Sequence, residues 1–217
     1  MAVAEKLGVP IVVIGNIAVG GTGKTPVIIA LAKALAAKGH TPGIVSRGYG
    51  GSAQSYPLLL TNATPVADSG DEPALILRAL SMPVCVAPDR VAAAKILISK
   101  GCDVILSDDG LQHYKLARDL EIVVVDSVRQ FGNNRTLPAG PLREPSTRLD
   151  ETDCVISNGP LAATLHAQQY AMQLKPLHWI EVASGKPMPL KELHISDDCY
   201  AISGIGNPQR FFNTLLE

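Results

Sequence analysis

Cysteine comes without pattern in this 217-residue chain: Cys85, Cys102, Cys154 and Cys199 stand far apart, and no CxxC spacing occurs. That excludes the common thiolate metal sites and dithiol redox motifs, and leaves reduced, mostly buried thiols of a cytosolic compartment as the expectation. The five histidines are scattered, so spacing reveals no cluster of metal ligands. Aromatic residues are scarce, at 4%, and the formal net charge is −1. A nucleic-acid binder needs a basic face and stacking platforms, so nucleic acid is excluded as a partner. No apolar run reaches the roughly 18 residues of a membrane span and no signal peptide is visible, so the chain as written is expected to be soluble.

What is present begins at Ile11 to Thr25, IVVIGNIAVGGTGKT. Four β-favouring residues, Ile11 to Ile14, read as a buried strand, and Gly20, Gly21 and Gly23 then let backbone N–H groups curl around phosphate oxygens without Cβ interference. Thr22 lies within the turn. Lys24 adds a charge for the β- and γ-phosphates, and the Thr25 hydroxyl is the usual ligand for Mg²⁺. The strict pattern GxxxxGK[ST] wants glycine at position 18, where this chain has Ala18, so the match is relaxed by one residue. Pro26 in the first turn and the spacing of Val27, Ile28, Leu31, Ala34 and Leu35 predict a helix, which Lys38 and Gly39 close. Its N-terminus points a partial positive charge at the phosphates.

Further along, short apolar strands alternate with helical patterns, as in a parallel sheet covered on both faces. Strands are expected at Ile11 to Ile14, Gly43 to Ser46, Val84 to Ala87, Val104 to Ser107, Ile122 to Val125 and Val155 to Ser157, with helices after Thr25, Asp71 and Asp89. The expected fold is α/β, a P-loop NTPase-like mostly parallel sheet with helices on both faces, plus part of a smaller second lobe. Residues 1–150 are assigned to the nucleotide-binding domain and 151–217 to the partial lobe. Between Leu137 and Leu149, PAGPLREPSTRL reads as a long loop. A helical stretch near Ala162 to Tyr170, strands near His178 to Val182 and Tyr200 to Ser203, and a last helix from Pro208 are expected beyond it.

A second chemical element is DVILSDDG, Asp103 to Gly110. An apolar strand ending in paired carboxylates suits a Walker B element, and two adjacent like charges call for a cation, so Asp108 and Asp109 suggest Mg²⁺ within reach of Thr25. A strand end followed by an Asp-Gly turn is the plainer alternative. In Ser69 to Pro73, SGDEP, the spacing favours a capping box of Ser69 with Glu72, with Asp71 at the positive end of the helix dipole. The alternative makes Asp71 a carboxylate at the rim of the site, able to accept a proton from an attacking hydroxyl. Arg47 in SRGYGG can equally meet a phosphate or solvent, whereas Asp89 and Arg90 read as a helix start with a surface ion pair. Gln112 and His113 fall where a loop at the carboxyl ends of the strands faces a ligand.

VIGNIAVGGTGKTP, GIVSRGYGG, GDEP, APDR, ILSDDGLQHYKLARDLEIVVVD, LPAGPLREP, VISNG and GIGNPQRFF occur in the order seen in the tetraacyldisaccharide 4'-kinase family, the lipid A 4'-kinases of Gram-negative bacteria, which this chain resembles from end to end. The resemblance implies an ATP- and Mg²⁺-dependent transfer of phosphate to the 4'-hydroxyl of a tetraacyldisaccharide 1-phosphate. It gives ATP to Gly20 to Thr25 and its phosphates to Lys24. Mg²⁺ falls to Thr25, Asp108 and Asp109, the catalytic base is Asp71, and Gln112 and His113 belong to the active-site segment. It also implies a glycolipid partner and work at the cytoplasmic face of the inner membrane. Family members usually open with an apolar membrane helix and run on to a DHH motif, so this chain is expected to be trimmed at both ends. Lys115, Arg118, Arg129, Arg135, Arg143 and Arg148 form a basic-leaning segment that can meet the lipid phosphate or simply face solvent. Two rival readings are a partner-regulated P-loop ATPase and a non-catalytic nucleotide-binding fragment. Val19 stands where the first usually carries an extra lysine, and no NKxD guanine motif occurs. GxGxxG cannot be fitted at Gly15 to Gly23, which sets a dinucleotide-binding fold aside.

Overall fold

The computed structural model describes residues 4–161, 163–192, 199–205 and 208–216. The chain divides into two compact units, Met1–Met172 and Gln173–Glu217. In the first, eight strands form one sheet in the order β3-β4-β2-β5-β1-β6-β7-β8. These are β1 (Ile11–Gly15), β2 (Pro42–Ser46), β3 (Leu58–Leu59), β4 (Val84–Val86), β5 (Val104–Asp108), β6 (Leu120–Asp126), β7 (Cys154–Asn158) and β8 (Gln169–Met172). Every pairing is parallel except the edge strand β3 against β4.

The alternation of side chains along a strand explains the layering. Ile11 and Val13 of β1 face one side, where Val45, Ile105, Val123 and Val125 join Val91, Ala94 and Leu97 of helix α4 (Arg90–Ser99). Ile14 faces the other, with Ile44, Val84, Leu106, Ile122 and Val124, covered by Val27 and Ile28 of α1 (Lys24–Ala37) and by Ile76 of α3 (Asp71–Leu80), which follows the four-residue α2 (Val66–Ser69). The central strands are buried on both faces and therefore read as continuous apolar runs. α1 stops as its sequence predicts: Gly39 takes φ +90° and donates to the Ala36 carbonyl at 2.9 Å. Cys85, Cys102 and Cys154 are free thiols, the first two buried, and Cys199 is exposed.

Three expectations change. The division falls after Met172 rather than at 150, because β7 and β8 extend the main sheet instead of starting a lobe. The helix expected near Ala162 to Tyr170 is absent from the described residues there. Gln169–Met172 instead forms β8, paired in parallel with β7 from Val155↔Gln169 to Asn158↔Met172. A four-residue edge strand draws its conformation from its neighbour more than from its own sequence. Tyr200 to Ser203 forms no strand.

In the second unit, β9 (His178–Ile180) pairs antiparallel with β10 (Pro187–Pro189), and α5 (Pro208–Leu216) follows, close to the expected final helix. None of its described residues is buried. Among the described residues, no helix is long and apolar enough to cross a membrane.

Candidate functional site

A parallel sheet sends the carboxyl ends of its strands to one edge, where its loops gather. Here the glycine turn follows β1, SRGYGG follows β2, APDR follows β4, DDGLQH follows β5 and Asn158 ends β7. Each loop therefore reaches the same edge as a consequence of topology, though they are far apart in sequence.

The turn after β1 ends at Gly23, whose φ of +100° is followed directly by α1, and no side chain caps that helix. Among the described residues, no backbone acceptor takes the N–H groups of Gly20, Gly21, Thr22 or Gly23. A helix N-terminus and a run of unpaired N–H groups together suit an anion. Lys24 opens the helix and its Nζ lies 3.6 Å from Asp109 Oδ1, so the glycine turn and the aspartate pair meet as expected.

The two aspartates have different surroundings. Asp108, 1% exposed, accepts a 3.0 Å hydrogen bond from Ser46 Oγ on Oδ2, while its Oδ1 is buried without a protein partner. Burial, reinforced by the negative charge of Glu72 and opposed by Lys24, pushes its pKa up to about 6. Asp109 sits at φ +49°, a conformation that Asp tolerates better than most residues. Burial works to raise its pKa too, but Lys24 and Arg143 outweigh burial and hold it below the ordinary carboxylate value.

Asp71 is the exposed first residue of α3. The expected capping box does not form. Gly70, at φ +84°, is the N-cap, and Ser69 Oγ donates instead to the Gly70 carbonyl at 3.1 Å. The reason is a tertiary contact: a Cβ on Gly70 would lie 2.3 Å from the Tyr49 carbonyl oxygen, and one on Gly51 would lie 2.4 Å from that of Asp68. SRGYGG and GDEP are thus packed backbone on backbone, which fixes where α3 starts. Glu72, the second residue of α3, adds its negative charge to burial in raising the pKa of Asp108.

Asp89 caps α4 through Val91 N–H and Ala92 N–H, as a helix start should. Arg90 forms no surface pair. It is 4% exposed and donates to the Ala87 carbonyl at 3.1 Å, and burial, reinforced by Arg47 and opposed by Asp108 and Asp109, lowers its pKa from the ordinary arginine value. Gln112 is exposed, whereas His113 Nε2 is buried without a partner. Burial first and Arg90 second lower the His113 pKa, which leaves the imidazole neutral at pH 7.

The basic-leaning segment is largely engaged within the fold. Arg143 binds Asp109, and Arg118 and Arg148 both bind Glu121, which is 6% exposed. The buried role of Arg90 was signalled only by its position, directly after a strand of a parallel sheet. Nothing in the local sequence distinguished Ser46 or Asn158.

A central strand that runs into a glycine turn and an uncapped Lys-Thr helix, with an acidic strand end alongside, defines a P-loop NTPase-like α/β protein. Comparison with known proteins narrows this: the model of the family described as Tetraacyldisaccharide-1-P 4'-kinase (LpxK) matches residues 1–217, and the chain belongs to that family. A tetraacyldisaccharide 4'-kinase of Colwellia psychrerythraea is 48% identical over 216 residues, 98% of this chain and 63% of the relative. One from Vibrio cholerae is 50% identical over 208 residues, 96% of this chain and 60% of the relative. The chain thus spans about three fifths of the length of these relatives. A crystal structure of LpxK from Aquifex aeolicus, described as the "apo" form in complex with ATP, superimposes with a TM-score of 0.79 at 28% identity. The match covers 99% of this chain and 69% of that one.

Proposed function

We propose that this chain carries the nucleotide-binding part of a kinase that transfers the γ-phosphoryl group of ATP to the 4'-hydroxyl of a tetraacyldisaccharide 1-phosphate, a step of lipid A biosynthesis. The observation that carries this reading is the convergence of Lys24 with the acidic end of β5, at 3.6 Å, in a member of this family. ATP phosphates lie along Gly20, Gly21, Thr22 and Gly23, with Lys24 beside them and Thr25 at the metal. Binding of ATP by the Aquifex aeolicus protein of like fold supports the choice of nucleotide.

Asp108 rather than Asp109 suits Mg²⁺. Its buried, unpartnered oxygen is a hard donor awaiting a cation, whereas the charge of Asp109 is already met by Lys24 and Arg143. Among the described residues no cluster of three ligating side chains exists, which fits an ion held mostly by phosphates, water and one or two protein oxygens. When bound, Mg²⁺ neutralises charge on the transferring phosphoryl group.

The transition state of such a transfer is loose, so positioning and charge supply most of the acceleration. Lys24 and the turn amides hold the phosphates, Arg90 adds a buried positive charge nearby, and Asp71 takes the proton of the sugar hydroxyl. Gln112 is assigned to the nucleotide and the neutral His113 to the catalytic groups. The glycolipid places the work at the cytoplasmic face of the inner membrane. The test follows labelled γ-phosphate to glycolipid, water or neither, in a chain extended to the length of its relatives. Asp71→Asn should lower kcat at least about 100-fold with little change in KM for ATP. Near-normal kcat would remove the base assignment, and transfer to water alone would favour a regulated ATPase.

A further inference from the structure

The glycine turn has no regular secondary structure of its own to fix its peptide planes, yet three side chains from three different strand ends grip its carbonyl oxygens. Asn16, fully buried just after β1, donates through Nδ2 to the carbonyls of Ala18 at 2.6 Å and Gly20 at 3.2 Å. Arg129 donates through Nη2 to the Gly21 carbonyl. Asn158, 5% exposed at the end of β7, donates through Nδ2 to the Thr22 carbonyl at 3.1 Å.

The anchors are themselves fixed. Asp126 ends β6 at 2% exposure, opposite Asn158 in the β6–β7 register, and its Oδ1 accepts the N–H groups of Val128 at 2.9 Å and Arg129 at 3.0 Å. The glycines also make room for these anchors. A Cβ on Gly20 would lie 2.8 Å from Arg129 Nη1, and one on Gly23 would lie 2.7 Å from Asn158 Nδ2.

A trans peptide points its N–H opposite its C=O. Gripping the carbonyls of Gly20, Gly21 and Thr22 therefore sets the direction of the next N–H in each case, those of Gly21, Thr22 and Gly23. These belong to the unpaired set described above. We propose that Asn16, Arg129 and Asn158 are positioning residues of the phosphate site: they hold three successive peptide planes so that the N–H groups converge on a polyphosphate. The inference rests on the nucleotide-binding reading and adds to it three residues that touch the turn rather than the ligand.

The test is calorimetry on the whole chain with ATP, tripolyphosphate and adenosine. Arg129→Ala and Asn158→Leu should each weaken ATP and tripolyphosphate about tenfold or more, and leave any adenosine affinity within about twofold. Arg129→Lys keeps one donor and should fall between Arg129→Ala and the parent, which preserves a readout if a larger change unfolds the chain. Thermal unfolding run alongside separates a positioning role from a structural one. A lowered Tm with unchanged polyphosphate affinity overturns the proposal, as does equal loss of adenosine and polyphosphate. If the parent chain takes up neither ATP nor tripolyphosphate, the nucleotide reading itself falls, and the proposal with it. If the parent binds and the variants match it, only the proposal falls.

Discussion

Arg143 Nη1 lies between both carboxylate oxygens of Asp109, at 2.9 Å and 2.8 Å, while Lys24 Nζ approaches Oδ1 at 3.6 Å. Asp109 thus draws on the same lysine that the phosphates of a nucleotide require. In the absence of Mg²⁺, its negative charge also opposes a polyphosphate directly. Asp109→Asn, which tolerates the same left-handed backbone, should therefore bind ATP about two- to fivefold tighter in EDTA. Titration calorimetry decides it, and weaker binding in EDTA would mean that Asp109 orders the site rather than restraining Lys24.

Asp108 gives a pH dependence whose sign is fixed. Its folded pKa is raised from 3.8 to about 6, chiefly by burial. Between those values the folded chain holds a proton that the unfolded chain has released, so stability falls as pH rises from about 4 to about 6 and the cost is complete above that. Asp108→Asn removes the cost. In chelator, the variant should melt higher than the parent at pH 7.5, and the gap should shrink steadily as pH drops through 6 toward 4. A gap that is constant across this range would show that the carboxyl titrates normally.

Legibility in the sequence followed how local each cause was. β1, the glycine turn and the stop at Gly39 depend on residues within a few positions of each other, and they were readable. The capping box failed because Gly70 answers to Tyr49, some twenty residues away, whose carbonyl leaves no room for a side chain. Arg90 was misplaced for the same reason. A helix start with Asp-Arg looks alike whether its arginine meets solvent or the interior, and only the folded chain buries Arg90 and turns it onto the Ala87 carbonyl. β8 lies where the sequence predicts helix, because an edge strand of four residues is shaped by β7.

Gly70 and Gly50 separate space from backbone strain. Both have positive φ, +84° and +78°, but a Cβ on Gly50 meets nothing within 4 Å, whereas one on Gly70 collides with the Tyr49 carbonyl. Gly50→Ala should cost about 1 kcal/mol, the strain term alone. Gly70→Ala should cost on the order of 3 kcal/mol and shift the start of α3, and Asp71 with it. Urea unfolding of the two variants measures the difference; equal costs would mean that the two loops part easily.

Glu121 ties together the two loops that flank the aspartate pair. Its Oε1 accepts from Arg118 Nη1 at 2.7 Å and its Oε2 from Arg148 Nη2 at 2.5 Å. Arg118 in turn donates to the carbonyls of Leu111, His113 and Leu116, and its guanidinium lies 5.2 Å from the centroid of the Tyr114 ring. Arg148 reaches Glu144, and Glu144 accepts from Tyr114 Oη, which closes the circuit back to the His113 loop. Glu121→Ala leaves two largely buried guanidinium groups short of a carboxylate, a loss of about 3 to 5 kcal/mol. Glu121→Gln keeps an acceptor but not the charge and should lose less. The same variants should move the imidazole resonances of His113, because Arg118 fixes its loop only while Glu121 fixes Arg118. A loss under about 1 kcal/mol, with His113 undisturbed, would reduce Glu121 to an ordinary ion pair and leave the two loops independent.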